Sequence, residues 1–134
     1  MQPFAIEAID HVVLRVRDLP RAVAFYTEVV GCTLARRRDD LGLVHLRAGA
    51  SMLDLVDVAG RLGGGAAPDP AARNVDHVCL RIAPFDEAAL VAHLARHGVQ
   101  PRGPADANFG AQGDGLSLYI DDPEGNGIEF KAGA

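Results

Sequence analysis

The chain has 134 residues and a net charge of −5, with 49% hydrophobic and 23% charged residues. These values are typical of one globular domain with a sizeable core. The negative balance argues against a nucleic-acid surface, which needs a basic stripe, and no apolar run is long enough to cross a membrane. Residues 1–4 lack a basic region followed by an apolar one, so no signal peptide is expected. Cys32 and Cys79 are expected to be reduced thiols, with one disulfide as the alternative. The sequence therefore predicts a cytoplasmic protein.

One segment occurs twice in the chain. The segment IDHVVLRV at residues 9–16 returns 66 residues later as VDHVCLRI at residues 75–82. An internal repeat indicates one structural unit and its copy. Each copy carries a histidine, His11 or His77, at the same point of a strand. If a pseudo-twofold axis relates the copies, the two imidazoles converge. Convergent imidazoles are often two of the ligands of a metal site.

The first unit is predicted to have the order βαβββ. Alternation in its first strand puts His11 on the face opposite Val12. A helix follows, capped by Asp18 and ended by Gly31, with apolar residues at helical spacing between them. Three strands are expected next, at residues 33–38, 43–47 and 52–56.

The second unit is predicted to repeat this order after a Gly-, Ala- and Pro-rich linker at about residues 58–73. Module one then covers about residues 7–57 and module two about residues 74–132. Module two has a strand at 75–82, a helix between Asp86 and Gly98, and strands at 116–120 and 127–131. Residues 101–115 are expected to be irregular, with a loop at 108–113. The predicted fold class is α+β: two tandem βαβββ modules related by pseudo-twofold symmetry, forming a cup-shaped half-open barrel.

Each module also carries one acid in its last strand. Asp54 and Glu129 each stand between two apolar residues, so each carboxylate faces away from its apolar neighbours. Such a carboxylate is costly unless it is solvated, paired or bound to a metal. The repeat therefore supplies one histidine and one acid per module.

These motifs resemble the vicinal oxygen chelate superfamily, which includes glyoxalase I, extradiol dioxygenases, fosfomycin-resistance thiol transferases, methylmalonyl-CoA epimerase and bleomycin-resistance proteins. The family's opening pattern, D-H in a strand, F-Y in a helix and a stop at G, matches Asp10-His11, Phe25-Tyr26 and Gly31. Its closing pattern, D-P-x-G-N-x-I-E, matches residues 122–129. The pattern is most similar to that of small bacterial glyoxalase-like proteins.

The resemblance implies a divalent metal ion, namely Zn, Ni, Co, Mn or Fe. Carried over by position, the family's ligands fall on His11, His77 and Glu129, and its optional fourth ligand falls on Asp54. This set leaves open positions for substrate oxygens. Asp54 is shorter than the glutamate usual there, so direct ligation, binding through water and a role as base are alternatives.

The function favoured by the resemblance is that of a glyoxalase I-like lyase or isomerase. Its metal would hold vicinal oxygens of a small-molecule substrate, and Glu129 or Asp54 would transfer the proton as catalytic base and acid. One alternative is extradiol dioxygenation or thiol transfer on the same metal site, and another is a metal-free drug- or metabolite-binding resistance protein. A homodimer is expected, because each module leaves a strand edge that needs a partner.

Four other residues have both a structural and a functional interpretation. His45 is expected to be structural and partly exposed, with a place lining the cup as the alternative. Cys79 shares a strand face with His77 and is expected to be a small buried residue rather than a thiolate ligand. Tyr119 on a late strand is a candidate to face the substrate, and His93 near a helix end is expected to have no role in the site.

Overall fold

The computed structural model describes residues 5–66, 69 and 71–133. The expectation for residues 1–4, and the part of the linker at residues 67, 68 and 70, lie outside these ranges. The elements in chain order are β1 (His11–Val16), α1 (Leu19–Ala24) with a π-helical continuation (Phe25–Val30), β2 (Thr33–Arg38), β3 (Leu43–Ala48), β4 (Ser51–Asp57), β5 (His77–Ile82), α2 (Glu87–Arg96), β6 (Asp106–Gly110), β7 (Gly113–Asp121) and β8 (Gly127–Ala132). No helix in these ranges is long and apolar enough to cross a membrane.

The strands form two four-stranded mixed sheets with the same topology. The first has the order β1-β4-β3-β2 and the second the order β5-β8-β7-β6. In each sheet the first strand runs parallel to the last strand of its module, and the other pairs are antiparallel. The strands of the described residues do not close into a barrel. The predicted α+β class with two tandem βαβββ modules is confirmed.

Local sequence accounts for the helix ends. The Asp18 carboxylate accepts the backbone N–H of Arg21 at 3.1 Å, and Asp86 accepts that of Ala89 at 3.1 Å, so both predicted N-caps are present. Gly31 follows the π-helical turn with φ +96°, a conformation that L side chains rarely adopt.

One face of each sheet forms the core. Leu14, Leu55 and Leu46 are fully buried in the first sheet, as are Ile120 and Ile128 in the second. These residues belong to one apolar cluster that includes helix residues such as Tyr26 and Leu94. Because side chains alternate along a strand, the polar residues of β1, β4, β5 and β8 lie on the other face of each sheet, where the candidate site is found.

The prediction of an irregular stretch with a loop at residues 108–113 is wrong. The chain there forms the hairpin of β6 and β7, with Asp106 paired to Ser117 and Gly110 to Gly113. This edge strand contains no β-branched residue, has Asn108 at its centre and ends at Gly110. Backbone pairing to β7 decides its structure in place of side-chain propensity.

The modules are joined by a buried polar network at the turn between β7 and β8. The Tyr26 hydroxyl donates to Asp122 at 2.7 Å. Burial, and then the charge of that carboxylate, hold the pKa of Tyr26 well above its ordinary value, so the hydroxyl stays protonated and donates. The Asn74 amide donates to both Arg15 and Asn126, which adds a second bridge.

Replacing Tyr26 with Phe tests this bridge. The change removes one hydrogen bond to a buried carboxylate while keeping the ring, so we expect a loss of about 2 kcal/mol in the free energy of unfolding. Urea denaturation measures it. Thr27→Val removes a hydroxyl that bonds within the same helix and should change stability by less than about 0.5 kcal/mol. Equal losses in both variants would contradict the role assigned to Tyr26.

Candidate metal site

The first module presents Asp54 on the open face of its sheet. Asp54 in β4 is only 5% exposed and pairs with His45 of β3. The His45 Nδ1 atom lies 2.9 Å from Asp54 Oδ1. In β1, Val13 is the partner of Asp54, so His11, two residues earlier, lies on the same face.

An aspartate precedes each predicted histidine ligand and holds its ring. The Nδ1 atom of His11 lies 2.8 Å from an Asp10 oxygen, and that of His77 lies 2.7 Å from an Asp76 oxygen. A carboxylate on Nδ1 leaves Nε2 as the atom that can bind a metal ion. The Asp10 hydrogen bond, with a smaller contribution from the charge of Asp54, raises the pKa of His11 above its ordinary value of 6.5.

The second module pairs its histidine directly with its acid. The Nε2 atom of His77 lies 3.1 Å from Oε1 of Glu129, which is 5% exposed. Two ligands about 2.1 Å from one ion, in adjacent octahedral positions, are about 3.0 Å apart. The distance therefore suits either a shared proton or a shared ion. The chemistry and spacing of this pair fit half of a metal site.

Two neighbouring strands supply groups that hold Glu129 in place. Cys79 of β5 and Tyr119 of β7 are its register partners, and both donate hydrogen bonds to its carboxylate. The Tyr119 ring also packs edge-on against His77, with centroids 5.4 Å apart. Tyr119 therefore lies beside His77 and Glu129, and its role as a residue that faces the substrate stays a prediction.

The expectation of a buried Cys79 is wrong, because this thiol is exposed on the open face of the sheet. The Cys79 side chain is partly desolvated. This desolvation, and then the negative charge of Glu129, raise the pKa of the thiol to about 11. Cys79 is therefore a neutral donor to Glu129 at physiological pH, not a thiolate.

The four predicted ligands lie in two pairs, one in each module. Among residues 5–66, 69 and 71–133, no group of three or more His, Cys, Asp or Glu side chains could hold a metal ion. His11 and Asp54 belong to the first pair, and His77 and Glu129 to the second. Their convergence at one ion stays a prediction.

Sequence reasoning missed three contributors. Asp10 and Asp76 were visible in the repeated D-H dipeptide, which was interpreted only as a family pattern. His45 was not linked to Asp54, because the sequence does not reveal which residues of β3 and β4 are register partners. His93, which was assigned no role in the site, contacts the carbonyl of Val29 at 2.8 Å.

Comparison with known proteins gives a consistent group of relatives. A family model described as the Glyoxalase/Bleomycin resistance protein/Dioxygenase superfamily matches residues 8–130. Virulence protein STM3117 of Salmonella typhimurium is 30% identical over 131 residues, covering 93% of this chain and 83% of that protein. Its crystal structure matches with a TM-score of 0.80 and 25% identity, over 98% of this chain and 100% of that chain.

Two further structures share the fold. Lactoylglutathione lyase from Agrobacterium tumefaciens has a TM-score of 0.69 and 24% identity, over 98% of this chain and 96% of that one. TnmS3, an antibiotic binding protein from Streptomyces sp. CB03234, has a TM-score of 0.71 and 23% identity, over 98% and 99%. At these identities the likeness concerns the fold alone.

The Asp10–His11 contact predicts a measurable titration. Asp10→Asn removes the hydrogen bond that raises the pKa of His11, so this pKa should fall back toward 6.5. Imidazole proton shifts followed by NMR across pH 5 to 8 would measure it. Asp39→Asn, on the hairpin between β2 and β3, is the control and should leave His11 unchanged. A His11 pKa that does not move in Asp10→Asn would contradict the contact.

Proposed function

Because the chain belongs to the glyoxalase/bleomycin resistance protein/dioxygenase superfamily, we propose that it is a divalent-metal-dependent enzyme of the glyoxalase I-like lyase or isomerase type. The observation that carries the proposal is the His77–Glu129 pair at 3.1 Å, with Asp76 on the far side of the imidazole. The other module carries the same residue types at the equivalent positions, Asp10, His11 and Asp54, and there Asp10 contacts His11 while Asp54 contacts His45. A carboxylate behind a histidine is the usual support of a metal ligand.

The proposed assembly is a homodimer in which each site combines module one of one chain with module two of the other. It is supported by the finding that, within the described ranges, no three ligand-type side chains of one chain come together in a group that could hold an ion. The modules of one chain are already joined elsewhere, through Tyr26 and Asp122 and through Arg17, which contacts Glu124 at 3.2 Å. A symmetric pair of chains would provide two equivalent sites.

A divalent ion held by His11, His77 and Glu129 would supply positive charge that lowers the pKa of a carbon acid between two substrate oxygens. The chain's own carboxylates would then move the proton. Glu129 is held by hydrogen bonds from Cys79 and Tyr119, so its carboxylate is suited to a constant position. Asp54 is buried and contacts the imidazole of His45, whose side chain is 24% exposed. We assign Asp54 as the base that takes and returns the proton, with His45 orienting it.

A metal-free binding protein is the second candidate. Each carboxylate already has a histidine partner, at 2.9 Å for Asp54 and 3.1 Å for Glu129. Both acids are therefore paired without an ion. The shared fold with an antibiotic binding protein is compatible with this function. Metal binding separates the two candidates.

Mixing two variants tests the metal and the assembly together. His11→Ala and His77→Ala should each lose most bound metal, because each removes a ligand from every site. In a refolded mixture, each heterodimer has one site with both histidines and one with neither. Random pairing should thus restore about a quarter of the wild-type sites, measured by elemental analysis after chelation and reloading.

The controls define the failure of this test. His97→Ala removes an imidazole from the end of α2 and should keep full metal content. Metal lost in both variants with no recovery on mixing would place each site within one chain. A wild-type protein that binds no divalent ion would favour the metal-free candidate.

Asp54→Ala tests the assignment of the base. Loss of general acid–base help should lower turnover of a hemithioacetal by about 10²-fold or more. Metal content should fall less than in His77→Ala, because both histidines and Glu129 remain. Rates come from substrate loss in metal-loaded protein, with Asp57→Ala at the end of the same strand as control. Full activity of Asp54→Ala would contradict the assignment.

A further inference from the structure

The chain's single lysine is a buried cation. Twelve of the thirteen basic residues are arginines, and the thirteenth is Lys131 in β8, which is only 6% exposed. Its ammonium group donates to the backbone carbonyls of Asn108 at 2.8 Å and Gly115 at 3.3 Å. Both acceptors are neutral, and Lys131 forms no ion pair in the described part of the chain. A buried charge without a counter-charge is costly.

Two glycines of the hairpin make room for this side chain. A Cβ atom on Gly110 would lie 2.5 Å from Cε of Lys131, and one on Gly115 would lie 3.0 Å from its Nζ. The lysine therefore extends from β8 across β7 toward β6 in a slot that larger residues would fill. The slot fixes the position of the ammonium group beside the open face of the sheet.

A second cation stands next to Lys131. Arg81 of β5 is its register partner, and both line a cavity of about 280 Å³ that also contains His77 and Glu129. Arg81 forms no ion pair within the described ranges. Like charges on adjacent strands destabilise a sheet. Among the described residues that line the cavity, Glu129 alone is a carboxylate, and it is engaged by His77. These residues therefore give the cavity a net positive charge.

We propose that Lys131 and Arg81 form an anion-binding subsite beside the His77–Glu129 pair, and that the substrate carries a small oxyanion. Its charged group, a carboxylate or a phosphate, would lie between the guanidinium and the ammonium, which has one proton to spare after its two carbonyl contacts. The proposed function further implies that this oxyanion is joined to a carbon that bears a second oxygen. This part of the inference rests on the proposed function. The anion subsite itself does not.

The probes are lactate and lactamide, which have the same shape and the same vicinal oxygens but differ in charge. Both are titrated into chelator-treated wild-type protein at constant ionic strength in sodium chloride. Carbon-13 lysine labelling gives signals from Lys131 alone, and backbone amides of residues 110–115 provide a second reporter. Lactate should bind at least about tenfold more tightly than lactamide. Inorganic phosphate, as a third probe, separates a phosphate preference from a carboxylate preference, and either preference supports the subsite.

The variants are Lys131→Met, Arg81→Met and, as control, Arg47→Met in module one. Lactate affinity should fall about tenfold in the first two and stay unchanged in the control, while lactamide affinity changes in none. Arg81→Met provides the test if Lys131→Met does not fold. Equal affinity for lactate and lactamide, or unaltered lactate affinity in Arg81→Met, would overturn the proposal. Because these titrations use metal-free protein, their failure is distinct from a failure to bind metal.

Discussion

The structure depends most on one buried carboxylate, that of Asp122. It is 5% exposed and accepts four hydrogen bonds: two from Asn126, one from the backbone of Glu124 and one from the hydroxyl of Tyr26. The first three shape the turn that leads into β8, and the fourth attaches module one to it. Because β8 carries Glu129, the position of the acid in the sheet follows from this turn. Four donors also compensate the cost of burying the charge.

The two modules share a topology but have diverged in the chemistry of their open faces. In module two, the histidine of the first strand contacts the acid of the last strand. In module one, the acid contacts His45 of the middle strand instead, and His11 is held only by Asp10. An aspartate is one methylene shorter than a glutamate, so Asp54 reaches less far from the sheet. This asymmetry is the reason for the proposed division of roles, in which Glu129 keeps a fixed position and Asp54 transfers the proton.

Alternation, capping residues and the repeat were sufficient to predict the two βαβββ modules, because each signal comes from residues near each other in sequence. The hairpin at Asp106–Gly110 was missed, since its pairing comes from β7 and its own residues favour turns. The contact between His45 and Asp54 depends on register across two strands, which no local pattern specifies. Whether the two His–acid pairs meet depends on how modules associate. That is a property of surfaces, and the sequence pattern within a strand does not encode it directly.

Because of the slot for Lys131, substitutions in distant parts of the chain depend on one another. Any side chain at residue 110 would displace the lysine, and a shorter residue at 131 would leave a gap beside Gly110 and Gly115. The charge of the cavity and the composition of the hairpin therefore cannot drift independently during evolution. If Lys131 is replaced by an uncharged residue, other side chains must fill the slot. A change of ligand preference at this cavity therefore needs coordinated substitutions in β6, β7 and β8. Such coupling makes the preference slow to change even while the surrounding surface diverges.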